Sequence, residues 1–171
     1  RWLAKNRETA RELAADPLFE LANHGAEHRP LSVTGRSAYG IPGTESASGA
    51  AREVEANARL LEEITGKRPR YFRSGTNHYD EVAVRVAAEL GHVTVSHSHN
   101  GDGGASYSQK KIADGLLSLR GGEIVLFHMN RPEGRTAEGL KEALPLLREK
   151  GFRFVKLGER PFVLEGGTPG P

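Results

Sequence analysis

Apolar and polar positions along the chain switch repeatedly between a helical period and a strand period. Residues 2–15 place Leu3, Ala10, Leu13 and Ala14 at helical spacing and stop at Asp16-Pro17, which predicts a first helix. FELA (19–22) reads as a short strand. Residues 30–46 are rich in Gly, Ser, Thr and Pro and read as a long loop. Residues 48–65 form an amphipathic helix with Gly66 as its stop. RYF (70–72) predicts a strand, 79–90 a helix ending at Gly91, and the alternating, β-branched HVTVS (92–96) another strand. Residues 107–118 predict a helix opened by Ser106 or Ser108. EIVLF (123–127) is a continuous apolar run, expected of a parallel strand buried on both faces. A helix follows at 136–150, with Thr136 as cap and Pro145 interrupting it, and FRFVKL (152–157) predicts a last strand.

Five strands alternating with helices imply an α/β fold with a mostly parallel sheet, either open or most of a barrel. The length of 171 residues suits one domain, taken as 1–164, with EGGTPGP (165–171) as a mobile tail. In such folds chemistry sits at the C-terminal ends of strands. Polar clusters lie at those places: NHGAEH after FELA, RSGTNH after RYF, HSHNGDGG after HVTVS, and HMNRP after EIVLF.

Composition narrows the chemistry. The absence of cysteine excludes disulfide scaffolds, thiolate metal sites and thiol catalysis. A net charge of +2 with both signs interspersed leaves no basic stripe, so no nucleic-acid partner is expected. No apolar run approaches the ~20 residues that span a bilayer, so no membrane insertion is expected.

Each cluster has a sharp reading beside a plain one. His24 and His28, four apart, suit two imidazoles on one metal if the segment coils into a helical turn; otherwise they are turn residues. Arg73 either bonds loop carbonyls or grips a catalytic carboxylate by bidentate bonds. His128 closes the most apolar strand, as a satisfied core residue or as a general acid. Asp102 either orients His128 or simply forms an Asn-Gly-Asp-Gly turn.

With these four clusters in this order, the chain resembles the polysaccharide deacetylase family, the NodB-type carbohydrate esterases, from Arg1 to about Gly158. The resemblance implies an incomplete parallel β/α barrel and a divalent metal, usually zinc, held by Asp-His-His. It also implies hydrolysis of the N-acetyl groups of sugars such as those of chitin or peptidoglycan. The family's His-Ser/Thr-x-x-His motif matches His24–His28, with Gly25 replacing the hydroxyl residue. Its Arg-x-Pro-Tyr-type motif matches Arg73–Thr76, without the proline and the aromatic residue, and its Leu-x-His motif matches Leu126–His128. The motif carrying Trp and Asp matches poorly, with Asp102 as its best counterpart.

By that resemblance His24 and His28 are metal ligands and the Thr76 N–H serves an oxyanion. Arg73 then holds the base, and His128, supported by Asp102, is the general acid. The family's Asp-Asp pair, which supplies the base and the third ligand, is missing from this sequence. The expectation is an N-terminally truncated chain whose upstream segment is a separate piece, and which is inactive alone. The expected substrate is an N-acetylated carbohydrate. By the same resemblance the expected setting is extracytoplasmic or secreted, and richness in Ala, Arg and Gly suits a bacterial source. Two rivals remain: a non-catalytic carbohydrate-binding or scaffold domain, and a deacylase of small N-acyl or cyclic amide compounds.

Overall fold

The structure, a computed structural model, describes residues 2–159 and divides the chain into two compact units, 1–96 and 97–171. The tail expected at 165–171 lies outside the described residues.

In the first unit the helix expected over 2–15 is two helices, α1 (Trp2–Lys5) and α2 (Arg7–Ala15). Asn6 breaks it, because its side-chain amide donates to the Trp2 carbonyl at 2.8 Å and competes with the helical ladder. The next helix, α3 (Ala47–Thr65), begins where the Ser46 hydroxyl accepts from the Gly49 N–H. It ends at Gly66, which takes φ +72 at little cost because it has no Cβ. Asp80 caps α4 (Glu81–Glu89) by accepting from the Ala83 N–H, so Tyr79 and Asp80 stay outside the helix expected over 79–90.

Strand pairing in this unit is short and parallel. β1 (Tyr71–Phe72) pairs with β2 (Val93–Thr94), and Asn23 bridges Phe72 on the other edge of β1. The strand expected at FELA is therefore reduced to a single bridging residue one position further on. Leu31, Ala50, Val54, Phe72, Ala83 and Ala87 form the core beneath.

The second unit repeats the plan. β3 (His99–Asn100), not anticipated as a strand, pairs in parallel with β4 (Val125–Leu126). α5 (Gln109–Leu117) opens at Ser108, whose hydroxyl accepts from the Lys111 N–H, and packs on α6 (Thr136–Glu149). A side chain at Gly139 would overlap Ile112, so this glycine lets the two helices approach closely. Ile112, Ala113, Leu116, Ala143 and Leu147 form the core, with Val125 and Phe127 against it.

EIVLF is only half-buried, not covered on both faces, since Val125 and Phe127 point to the helices and the alternate residues do not join that cluster. FRFVKL forms no strand. Gly151 (φ +85) and Phe152 instead donate to the Arg148 and Leu147 carbonyls, finishing α6 in a Schellman motif. Phe152 completes the core while Phe154 and Val155 are exposed. Among the described residues no helix is long and apolar enough to cross a membrane.

Candidate active site

The first unit's polar residues gather around the Asn23–Phe72 bridge. The Asn23 N–H donates to the Tyr71 carbonyl at 2.8 Å, and the Arg73 N–H donates to the Asn23 carbonyl at 2.9 Å. The buried Asn23 side chain donates to the Val54 carbonyl and accepts from the Gly25 N–H and the Asn57 amide. The chain then turns through Gly25 at φ +81 and reaches His28 at φ +64. This is no helical turn, contrary to the sequence expectation. The two imidazoles still meet, edge to face, with ring centroids 5.0 Å apart.

Glu53 holds this turn, and sequence reasoning did not single it out. Its buried carboxylate accepts from the Glu27 N–H at 3.0 Å and the Arg29 N–H at 3.2 Å. A Cβ at Gly25 would overlap its Oε1 atom. The glycine that replaces the family's hydroxyl residue thus accompanies a carboxylate occupying that space.

His24 Nδ1 lies 2.7 Å from the Arg73 carbonyl. A carbonyl only accepts, so Nδ1 carries the proton and Nε2 the lone pair. Arg73 donates to that Nε2 at 3.4 Å. Burial pushes the Arg73 guanidinium below its usual range, with the nearby Tyr79 acting weakly the other way. Among the described residues Arg73 makes no ion pair with a carboxylate. Beyond Arg73, Ser74 is buried; its N–H donates to the Tyr79 hydroxyl, and its own hydroxyl exchanges hydrogen bonds with the His78 backbone. Gly75 lies against His28 so closely that any side chain there would overlap it. Thr76 is buried, and its N–H donates to no group among the described residues.

These donors test the expected metal. Two imidazoles converge, but a guanidinium already approaches one ligand atom, and no group of three His, Cys, Asp or Glu side chains suits a metal among the described residues. Alone, they make a pair of ligands rather than a site.

The second unit joins Asp102 and His128. Asp102 follows β3 and is fully buried. Its Oδ1 accepts from His128 Nδ1 at 2.8 Å, and its Oδ2 from the His128 N–H at 2.6 Å. The Gly104 N–H and the Thr136 hydroxyl add bonds at 3.2 and 3.1 Å. Thr136, expected as a helix cap, is instead the first residue of α6, its hydroxyl committed to this carboxylate. Burial pushes the Asp102 carboxyl up, but the hydrogen bonds from His128 and the Ala105 N–H outweigh it and hold it below the usual carboxylate range. His128 is a third exposed at its side chain (36%). His99 belongs elsewhere, to a cavity of about 570 Å³ shared with Tyr107, Lys110, Lys111 and Asp114.

The fold recurs in solved carbohydrate esterases. A family 4 acetyl xylan esterase from Clostridium thermocellum, in complex with a cobalt ion, matches with a TM-score of 0.74 and 20% identity, over 91% of this chain and 69% of that one. A peptidoglycan N-acetylglucosamine deacetylase matches at 0.73 and 19%, over 91% and 68%. A CE4 family pseudoenzyme from Bacillus anthracis matches at 0.73 and 19%, over 90% of this chain but 50% of that chain, so this chain spans about half its length. These likenesses define the class: an α/β chain with the parallel β/α barrel fold of the carbohydrate esterases, incomplete here. No curated protein matches by sequence. The polysaccharide deacetylase family profile matches residues 1–95, over half of the chain and nearly all of its first unit, and the chain belongs to that family.

Proposed function

We propose that this chain belongs to a metal-dependent hydrolase that removes N-acetyl groups from a carbohydrate of the peptidoglycan or chitin type. The observation that carries the reading is the Asp102–His128 pair. A fully buried carboxylate fixes Nδ1 and the backbone of a solvent-accessible histidine, the arrangement of a general acid held in one tautomer.

On this reading a divalent metal, zinc by preference, is held by His24, His28 and a carboxylate from outside the described residues, and supplies Lewis-acid polarisation of the acetyl carbonyl. Arg73 binds a base carboxylate, the partner it lacks among the described residues. That base takes a proton from a water molecule whose oxygen adds to the acetyl carbonyl carbon, and the Thr76 N–H donates to the oxyanion that forms. His128 gives its proton to the departing amine while Asp102 stabilises the charged imidazole.

The test is acetate release from N-acetylated chitooligosaccharides and peptidoglycan, with zinc, by this chain alone and with an added Asp-Asp-bearing segment. Release that depends on the segment and falls at least a hundredfold in His128→Ala supports the reading. Release unaffected by His128→Ala would sink it. The absence of a carboxylate ion pair on Arg73 among the described residues, and the pair of imidazoles without a third ligand there, also favour a second reading, a non-catalytic carbohydrate-binding domain. Saccharide binding with no acetate release in any combination would select that reading.

A further inference from the structure

Tyr39 is the most exposed of the large hydrophobic side chains in the first unit, at 83%. It stands at the tip of a two-residue turn whose flanks, Ala38 and Ile41, exchange both backbone hydrogen bonds. Tyr39 and Gly40 take φ +53 and +75, the positive values that a hairpin turn of this length requires and that Asn-Gly meets best. A tyrosine there is a poor choice for the turn and a good one for presenting a ring.

The ring is fixed relative to the site motif. It meets His78 edge to face, with centroids 5.3 Å apart. His78 is exposed, and its Nδ1 lies 2.7 Å from the Thr76 carbonyl, which can only accept, so Nδ1 carries a proton and, in the neutral ring, Nε2 carries the lone pair. The loop beneath is pinned on both sides. The Leu31 N–H donates to the His78 carbonyl, the Asp80 N–H to the Leu31 carbonyl, and Ser32 and Thr44 exchange hydrogen bonds across the loop's base. The neighbours at the tip, Arg36, Ser37 and Gly40, are exposed and not large apolar groups, so the ring is isolated rather than part of an apolar protein-binding patch.

We propose that Tyr39 and His78 form a saccharide subsite beside the Arg73–Thr76 motif. An apolar ring face rimmed by a hydroxyl and an imidazole acceptor suits a pyranose, which has an apolar C–H face and a rim of hydroxyl donors. The ligand class is an N-acetylated oligosaccharide, with one sugar stacked on Tyr39 and a hydroxyl donated to His78 Nε2. The subsite rests on the carbohydrate reading above but not on catalysis.

The experiment is a chemical-shift titration of the full chain with N-acetylchitotetraose, comparing wild type, Tyr39→Asn and Tyr39→Trp, with thermal melts of all three. Tyr39→Asn suits the turn better than tyrosine, so weakened binding cannot be blamed on misfolding. Covering one ring face hides roughly 60 Å² of apolar surface, so its loss predicts about tenfold weaker binding, with Tyr39→Trp retaining affinity and the His78 Nε2 resonance moving on titration. Wild type and Tyr39→Asn binding alike would overturn the subsite and leave the carbohydrate reading standing. No binding by wild type would overturn both. Ring-dependent binding with no acetate release in any combination with zinc and the added segment would support the subsite while removing the deacetylase activity.

Discussion

Restoring the family's hydroxyl residue at position 25 should damage this protein rather than improve it. In Gly25→Ser the new side chain must adopt φ +81, which costs an L-residue about 1–2 kcal/mol. Its Cβ also overlaps Glu53 Oε1, so the carboxylate must withdraw. The Glu27 and Arg29 N–H groups then lose their acceptor, at about 1–3 kcal/mol if one stays unsatisfied. Together the loss is about 2–5 kcal/mol. For a chain of this size each kcal/mol moves the melting temperature by about 2–4 °C, so the expected fall is on the order of 5–20 °C. The check is thermal and urea unfolding by circular dichroism for Gly25→Ser, Glu53→Ala and the double variant. With Glu53 already truncated, the serine should add only the backbone part, about 1–2 kcal/mol. A Gly25→Ser chain as stable as wild type, or additive losses in the cycle, would refute the claim that Glu53 occupies that space.

Two further outcomes concern pH. Asp102 titrates below its usual value in the folded chain, so its contribution is full above the unfolded carboxylate pKa of about 3.9 and fades as pH falls through the lower folded value. Asp102→Ala, which strips partners from His128, Gly104 and Thr136, should lose about 3–5 kcal/mol near neutral pH and flatten the acid limb of the stability curve. Hydrogen exchange in 97–159 against pH reads this directly, and an unchanged acid limb would contradict it. Glu55 is lowered to about 2, first by hydrogen bonding to Arg68 and then to Arg59, against a small opposing effect of burial. Carboxyl NMR should show it titrating near pH 2 and moving back toward the ordinary value of about 4.3 in Arg68→Ala; no movement would assign the shift elsewhere.

Helices were legible in the sequence because their signals are local. The Gly66 and Gly91 stops and a 3.6-residue stripe placed α3 and α4 to within two residues, while the Ser46 and Asp80 caps went unread. Strands were legible only in part, because a strand exists only where a partner runs alongside: RYF, HVTVS and EIVLF do hold β1, β2 and β4. FRFVKL alternates well enough yet ends a helix, while the polar His99–Asn100 gains strand pairing from β4. The polar clusters at expected strand ends, with the resemblance they carry, named His24, His28, Arg73, Thr76, Asp102 and His128, and the structure gives two of these groupings a concrete form, the imidazole pair beside Arg73 and the Asp102–His128 bond. The supporting residues were less visible. Glu53 and Asn57 did leave a trace, as polar residues lying on the apolar stripe of α3 among Ala50, Val54, Ala58 and Leu61. Thr136 left none, since a threonine at a helix start reads as a cap whichever way its hydroxyl turns.

The Asn23 bridge sets a rule for anyone wishing to transplant this chemistry. Asn23 bonds through its backbone to Tyr71 and Arg73 and through its side chain to Val54 and Asn57, while Glu53 closes the turn that follows. Three stretches far apart in the chain, 23–29, 53–57 and 71–76, therefore form one graft. A chimera that carries over the two histidines with only one of the other stretches will receive imidazoles pointing nowhere in particular, and one that takes all three inherits their aim ready made.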